Sequence, residues 1–155
     1  DVQALVAFPK IICREDQATY SCAIKPVLNL LLDKAFTSAN LEFLEALEDY
    51  RKGDYGDCLT KCGSAFESTL KIVCSRKGWL YKQDDTASKL LQTVIEKSNL
   101  ESFFEQPLII IATLRNRLSK SHGLGTQQRH IPAHKAQYAI NATAAAILLL
   151  VEECK

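Results

Sequence analysis

Between Tyr55 and Arg76, the residues Leu59, Cys62, Phe66, Thr69, Leu70 and Val73 recur at three- and four-residue spacing. That period belongs to one face of a long helix and to no strand. A helix with one apolar stripe must bury it against neighbours. Gly78 follows the stripe, where a left-handed residue ends a helix at least cost. Whatever else the chain does, it must build a helical bundle around this segment.

The neighbouring segments follow the same pattern. Ser38 is placed to cap a helix running to about Lys52, with Leu41, Leu44 and Leu47 on one face and Gly53 as its stop. Trp79–Asp84 is expected to be a loop. Asp85 or Thr86 can cap a shorter helix, Ala87–Lys97, with Leu90, Leu91, Val94 and Ile95 as its stripe. A further helix is predicted from about Glu101 to Ser121, because the period of the Ile109–Ile111 run continues through Leu114 and Leu118. Gly123-Leu124-Gly125 stops it. The last helix, Ala133–Glu153, is apolar on most sides of its C-terminal half and therefore belongs in the core or at an oligomer interface. Ala23–Phe36 has helical periodicity around Pro26, which is tolerated in a first turn. Six Gly and four Pro in 155 residues leave little punctuation for a many-stranded fold. The expected class is all-α, a bundle of four to six helices. Residues 1–50 are taken as an N-terminal helical segment and 51–155 as the main helical domain, the two expected to form one compact unit.

Composition excludes several classes. Hydrophobic residues at 47% and charged residues at 24% are ordinary for a globular chain. The longest apolar run, Ala142–Val151, is well short of the roughly 18 residues a membrane span needs. Val2–Phe8 is too short for a signal peptide and lacks a basic flank. No membrane association is expected, and a cytoplasmic location is. The six cysteines are irregularly spaced, so they read as small apolar residues in a reducing compartment. Cys58 and Cys62 lie one turn apart without a second ligand pair, so no metal and no cofactor is expected. The chain opens on Asp1 and contains no Met, which suggests a trimmed fragment or a C-terminal domain.

The net charge of +1 conceals an asymmetry. No acidic residue lies between Glu105 and Glu152, a stretch that holds Arg115, Arg117, Lys120, Arg129, Lys135 and all three histidines. Such a region suits an anionic ligand, and equally a solvated basic face. On a helical wheel of about 100° per residue, Arg115 and His122 fall within about 20° of each other, beside the apolar stripe. Arg117 and Lys120 point to the other side, and Ser119 lies near Arg115. An arginine fork for phosphate oxygens and a histidine for proton transfer make a minimal kit for RNA cleavage. The alternative at this spacing is structural: basic residues near a helix C-terminus, followed by glycine, complement the macrodipole.

The segment Leu114-Arg115-Asn116-Arg117-Leu118-Ser119-Lys120-Ser121-His122-Gly123-Leu124-Gly125 resembles the Arg-Asn…His-Gly-x-Gly signature of the abortive-infection C-terminal family of the HEPN superfamily. Gly53-Asp54-Tyr55 leading into Ser64–Lys71 is similar to the helix that precedes this motif. Ala136–Glu152, with Asn141, resembles the closing Ala/Leu-rich helix. The likeness covers about residues 50–155. It implies a HEPN-like bundle, a homodimer with two motifs facing each other, and metal-independent endoribonuclease activity in antiphage, abortive-infection or toxin systems. His122 would be the proton shuttle, Arg115 the phosphate and transition-state stabiliser, and Asn116 an orienting residue. Arg117 also fits the motif spacing, but the following Asn and the helical face both favour Arg115. Arg117, Lys120 and Ser119 would contact RNA, while Glu67 and Lys71 would support the site or form a plain surface pair. An antitoxin or a fused N-terminal domain would be a further partner. The alternatives are a non-catalytic RNA- or nucleotide-binding module, or a dimerisation domain.

Overall fold

A computed structural model describes residues 4–7, 10–13, 20–118 and 130–155. Two short strands, β1 (Ala4–Ala7) and β2 (Lys10–Cys13), pair antiparallel with Ala4 opposite Cys13 and Ala7 opposite Lys10. Among the described residues, everything else of regular structure is helical. A π-turn at Tyr20–Ile24 leads into α1 (Lys25–Leu30), with Pro26 in the first turn, where its missing N–H costs nothing. The bundle continues with α2 (Thr37–Lys52), α3 (Tyr55–Lys77), α4 (Ala87–Lys97), α5 (Glu105–Leu118) and α6 (Ala133–Glu153).

Helix α3 is the centre of the bundle and packs against α2, α4, α5 and α6. Its expected stripe is buried in full, together with Gly63, Ala65 and Cys74. The one hydroxyl on that stripe, Thr69 Oγ1, donates to the Ala65 carbonyl at 2.8 Å and so enters the core satisfied. Phe36, Phe43, Phe66, Leu59, Leu90, Ile111 and Ile147 fill the space around it with essentially no exposure. Helix α6 buries Ala136, Ala139, Ile140, Thr143, Ala144, Ile147 and Leu150, and leaves Tyr138 and Ala145 outside.

The helix ends follow local chemistry. Gly53 at φ 81° donates to Tyr50 O at 3.0 Å, and Asp54 N donates to Asp49 O at 2.8 Å. Gly78 at φ 67° repeats the arrangement, with Gly78 N to Ser75 O and Trp79 N to Cys74 O. These are two Schellman closures, each requiring a residue comfortable at positive φ. Thr86, not Asp85, caps α4 by accepting from Lys89 N at 3.4 Å. Asp85 instead accepts from Lys82 N and from Lys89 Nζ.

Five expectations are corrected. The segment 1–50, expected to be helical, begins with the strand pair β1–β2, whose backbone groups pair with each other and not within a helix. The predicted helix Ala23–Phe36 is broken, because Asp33 accepts from Ala35 N at 2.9 Å and starts a separate 3-10 turn, Lys34–Phe36. That turn runs straight into α2, so Ser38 lies within the first turn and caps nothing. Leu41 is 56% exposed, and the buried face of α2 is instead Ala39, Phe43, Leu44 and Ala46. The helix expected from Glu101 is preceded by a 3-10 turn, Ser102–Phe104, and begins at Glu105. Its expected end at Ser121 and the Gly123-Leu124-Gly125 stop lie outside the described residues. No described helix is long and apolar enough to cross a membrane.

Candidate functional site

The site begins with a close helix crossing. Gly63 is buried in α3 where α5 passes over it. A Cβ built at Gly63 would lie 2.4 Å from Arg115 Cδ and 2.9 Å from Arg115 Cβ. The aliphatic stem of Arg115 therefore occupies the space that any larger residue at 63 would need. This sets both the approach of the helices and the direction of the guanidinium.

One turn further along α3, Glu67 receives that guanidinium. Arg115 Nη1 donates to Glu67 Oε2 at 3.3 Å. The other carboxylate oxygen accepts from Lys71 Nζ at 2.9 Å, and Lys71 Nζ also donates to the Gln83 carbonyl at 2.9 Å. Glu67 is thus shared between two cations on two helices, and the second cation ties the cluster to the loop between α3 and α4. Among the described residues, one of the five guanidinium N–H donors of Arg115 is engaged. The Arg115 side chain is 33% exposed, enough to present its other donors to a ligand oxygen.

A groove of about 460 Å³ runs from this ion cluster along α3. Ser64, Ser68 and Ser75 of α3 line it, and Ser38 and Glu42 come from α2. Tyr81 and Gln83 come from the loop that Lys71 holds. The volume lies within the roughly 300–1,000 Å³ of small-molecule sites, but the lining is mostly hydroxyls and charges. Oε2 of Glu42 is buried and has no hydrogen-bond donor among the described residues.

Of the expected site residues, Arg115, Glu67 and Lys71 meet in one cluster. Asn116 and Arg117 are exposed on α5 and do not line the groove. Ser119, Lys120 and His122 lie outside the described residues. His130 and His134 are exposed at the start of α6. Cys58 and Cys62 are buried side by side in α3, where their mutual contact and burial push the Cys58 thiol up. A thiol kept protonated is a poor nucleophile and a poor ligand. Among the described residues, no three His, Cys, Asp or Glu are grouped to hold a metal ion.

Residues 37–153 match the Abi_C family, described as a HEPN-like domain. The chain belongs to the Abi_C family of HEPN-like domains. The match takes in α2 through α6 and begins after the hairpin and α1. The helical bundle fits a HEPN-like fold, and the strand pair lies outside the matched residues. No curated protein and no solved structure matches the chain.

Gly63, Glu42, Ser75 and Gln83 were given no site role in the sequence reading, Ser38 was read only as a helix cap, and Ser64 and Ser68 only as part of the segment that resembles the family. Gly63 carried a usable signal, since a glycine inside a strong helical pattern usually has a packing reason. The serines carried none, because a hydroxyl on a half-exposed helix face is ordinary.

Proposed function

We propose that this HEPN-like domain is an endoribonuclease that cleaves RNA without a metal ion. The observation that carries the reading is the arrangement of Arg115, held over Gly63 and anchored by Glu67, with its outer N–H groups turned to an accessible groove. A guanidinium fixed in this way meets phosphate oxygens without first losing its own conformational freedom. His122, seven residues on in the same motif, takes the proton from the ribose 2′-hydroxyl or returns it to the leaving 5′-oxygen. Arg115 stabilises the charge that develops on the phosphorus-bound oxygens. Asn116 orients the histidine or the phosphate, and Arg117, Lys120 and Ser119 contact the flanking strand. The protein acts as a homodimer in the cytoplasm, with two motifs facing each other, as an antiphage, abortive-infection or toxin effector. An antitoxin or a fused domain restrains it.

The groove also favours a second reading, a module that binds RNA or a nucleotide and does not cut. Wild type, Arg115→Ala and His122→Ala, each shown to be folded by its melting curve, separate the two. Cleavage lost in both variants with RNA binding kept in His122→Ala supports the enzyme. Binding without cleavage in the wild type supports the module.

A further inference from the structure

We infer that the groove beside Arg115 is a guanine-preferring nucleoside pocket, and that it reads the base next to the phosphate held by Arg115. The inference rests on the reading of Arg115 as the phosphate-binding residue.

Charge is the first observation. The groove holds two cations, Arg115 and Lys71, and two carboxylates, Glu42 and Glu67. Their formal charges cancel, and Glu67 already bridges both cations. A bare polyanion gains little in such a space. A neutral body rich in hydrogen-bonding groups, with one phosphate at the Arg115 end, matches it. Three serine hydroxyls along α3 suit a ribose, and Tyr81 supplies an aromatic ring of the kind on which bases stack.

The second observation is Glu42. A carboxylate oxygen buried without a donor is costly, and the cost is relieved when the half-buried Glu42 side chain turns its carboxylate toward a guest in the groove that brings an N–H. Glu42 lies on α2 and the serines on α3, so a guest that meets both spans the two helices. Among the four bases, guanine alone presents two adjacent donors, N1–H and the N2 amino group, which match the two oxygens of a carboxylate. Uracil offers a single N3–H flanked by two carbonyls that a carboxylate repels. Adenine and cytosine place one amino group beside a ring nitrogen acceptor. The expected order is therefore guanine first and uracil last. About 460 Å³ is room for one nucleoside.

Guanosine 3′-monophosphate and uridine 3′-monophosphate, titrated into the full chain by calorimetry in EDTA, test this. The guanine nucleotide is expected to bind at least about tenfold more tightly, the effect of one charge-assisted hydrogen-bond pair. Glu42→Gln, which replaces one carboxylate oxygen by an amide donor, should bring the ratio close to one at a melting temperature no lower than that of the wild type. Ser68→Leu, which fills the groove from α3 and leaves Glu42 intact, should abolish binding of both nucleotides. It decides the matter if Glu42→Gln does not fold. Equal affinities in the wild type, or a guanine preference that survives either variant, overturn the pocket.

The guest is a guanine of an RNA strand or of a free nucleotide. A guanine-containing oligonucleotide that competes with the mononucleotide assigns it to RNA; failure to compete retains the pocket and assigns it to free nucleotide. RNA cleavage with no guanine binding refutes the pocket and leaves the ribonuclease reading standing. Guanine binding by a protein that cuts no RNA does the reverse.

Discussion

Gly63→Ala puts the smallest side chain where the Arg115 stem now lies. Its Cβ would stand 2.4 Å from Arg115 Cδ, when ordinary contacts of this kind are 3.4–4 Å. About 1 Å of movement is needed at Cδ. A new rotamer does not suffice, because Arg115 Cβ, fixed to the backbone, is itself only 2.9 Å away. Helix α5 must therefore shift off α3. Overpacking of this kind costs about 1–3 kcal/mol, offset by about 1 kcal/mol from replacing glycine by alanine within a helix. The expected net loss is up to about 2 kcal/mol, or roughly 4–8 °C in melting temperature for a domain of this size. Function should suffer more. A displacement of about 1 Å carries the guanidinium away from Glu67 and, on the ribonuclease reading, from the phosphate it is proposed to hold, and a misplacement of that order can cost about 100-fold in rate. Thermal unfolding and RNA cleavage on the same preparation read both effects. A Gly63→Ala protein that melts higher than wild type and cleaves equally well would refute the close-crossing account of Arg115.

Glu67→Gln removes the charge shared by Arg115 and Lys71. The residues are partly exposed, so stability should change by no more than about 1 kcal/mol. On the ribonuclease reading, in which Glu67 acts by positioning Arg115, RNA cleavage should fall about tenfold or more, in turnover rather than in RNA affinity. Wild-type turnover in this variant would show that Glu67 positions nothing. Asp49 gives a pH signature. Burial, helped by the charges of Asp57 and Asp54, raises its carboxyl above the usual value of 3.8. An acid with a raised folded-state value weakens the fold once both states can ionise, and costs nothing when both are protonated. Asp49→Asn should thus raise the melting temperature at pH 7, and the gain should vanish as pH falls below 3.8. A gain that persists at lower pH would show that a different interaction had changed.

The bundle was largely legible in the sequence because its signals are local. A three- and four-residue period, with Gly78 after it in α3 and Thr86 before it in α4, defines these two helices almost to the residue, and Gly53 and Gly78 act as the stops their positions suggested for α2 and α3. Where a competing local bond intervenes, the reading failed. Asp33 diverts the chain into a 3-10 turn that the apolar period of Ala23–Phe36 does not register. Strands of four residues are likewise too short to display alternation against a mixed background. For the site, spacing drew attention to Arg115, and to Glu67 and Lys71 as a pair four apart. It did not show that one carboxylate joins all three, because the link between Glu67 and Arg115 spans 48 residues of sequence. The groove was invisible for the same reason. Its residues come from α2, α3, α5 and a loop, and only packing brings them together.

The chemistry of the cleaved ends tests the ribonuclease reading most directly. Full-length chain is incubated with RNA in excess EDTA, and the products are resolved by their termini. Attack by the 2′-hydroxyl, assisted by Arg115 and His122, leaves a 2′,3′-cyclic phosphate and a 5′-hydroxyl, and Arg115→Ala should lose that product. Cleavage that EDTA abolishes, or products ending in a 3′-hydroxyl and a 5′-phosphate, would contradict it.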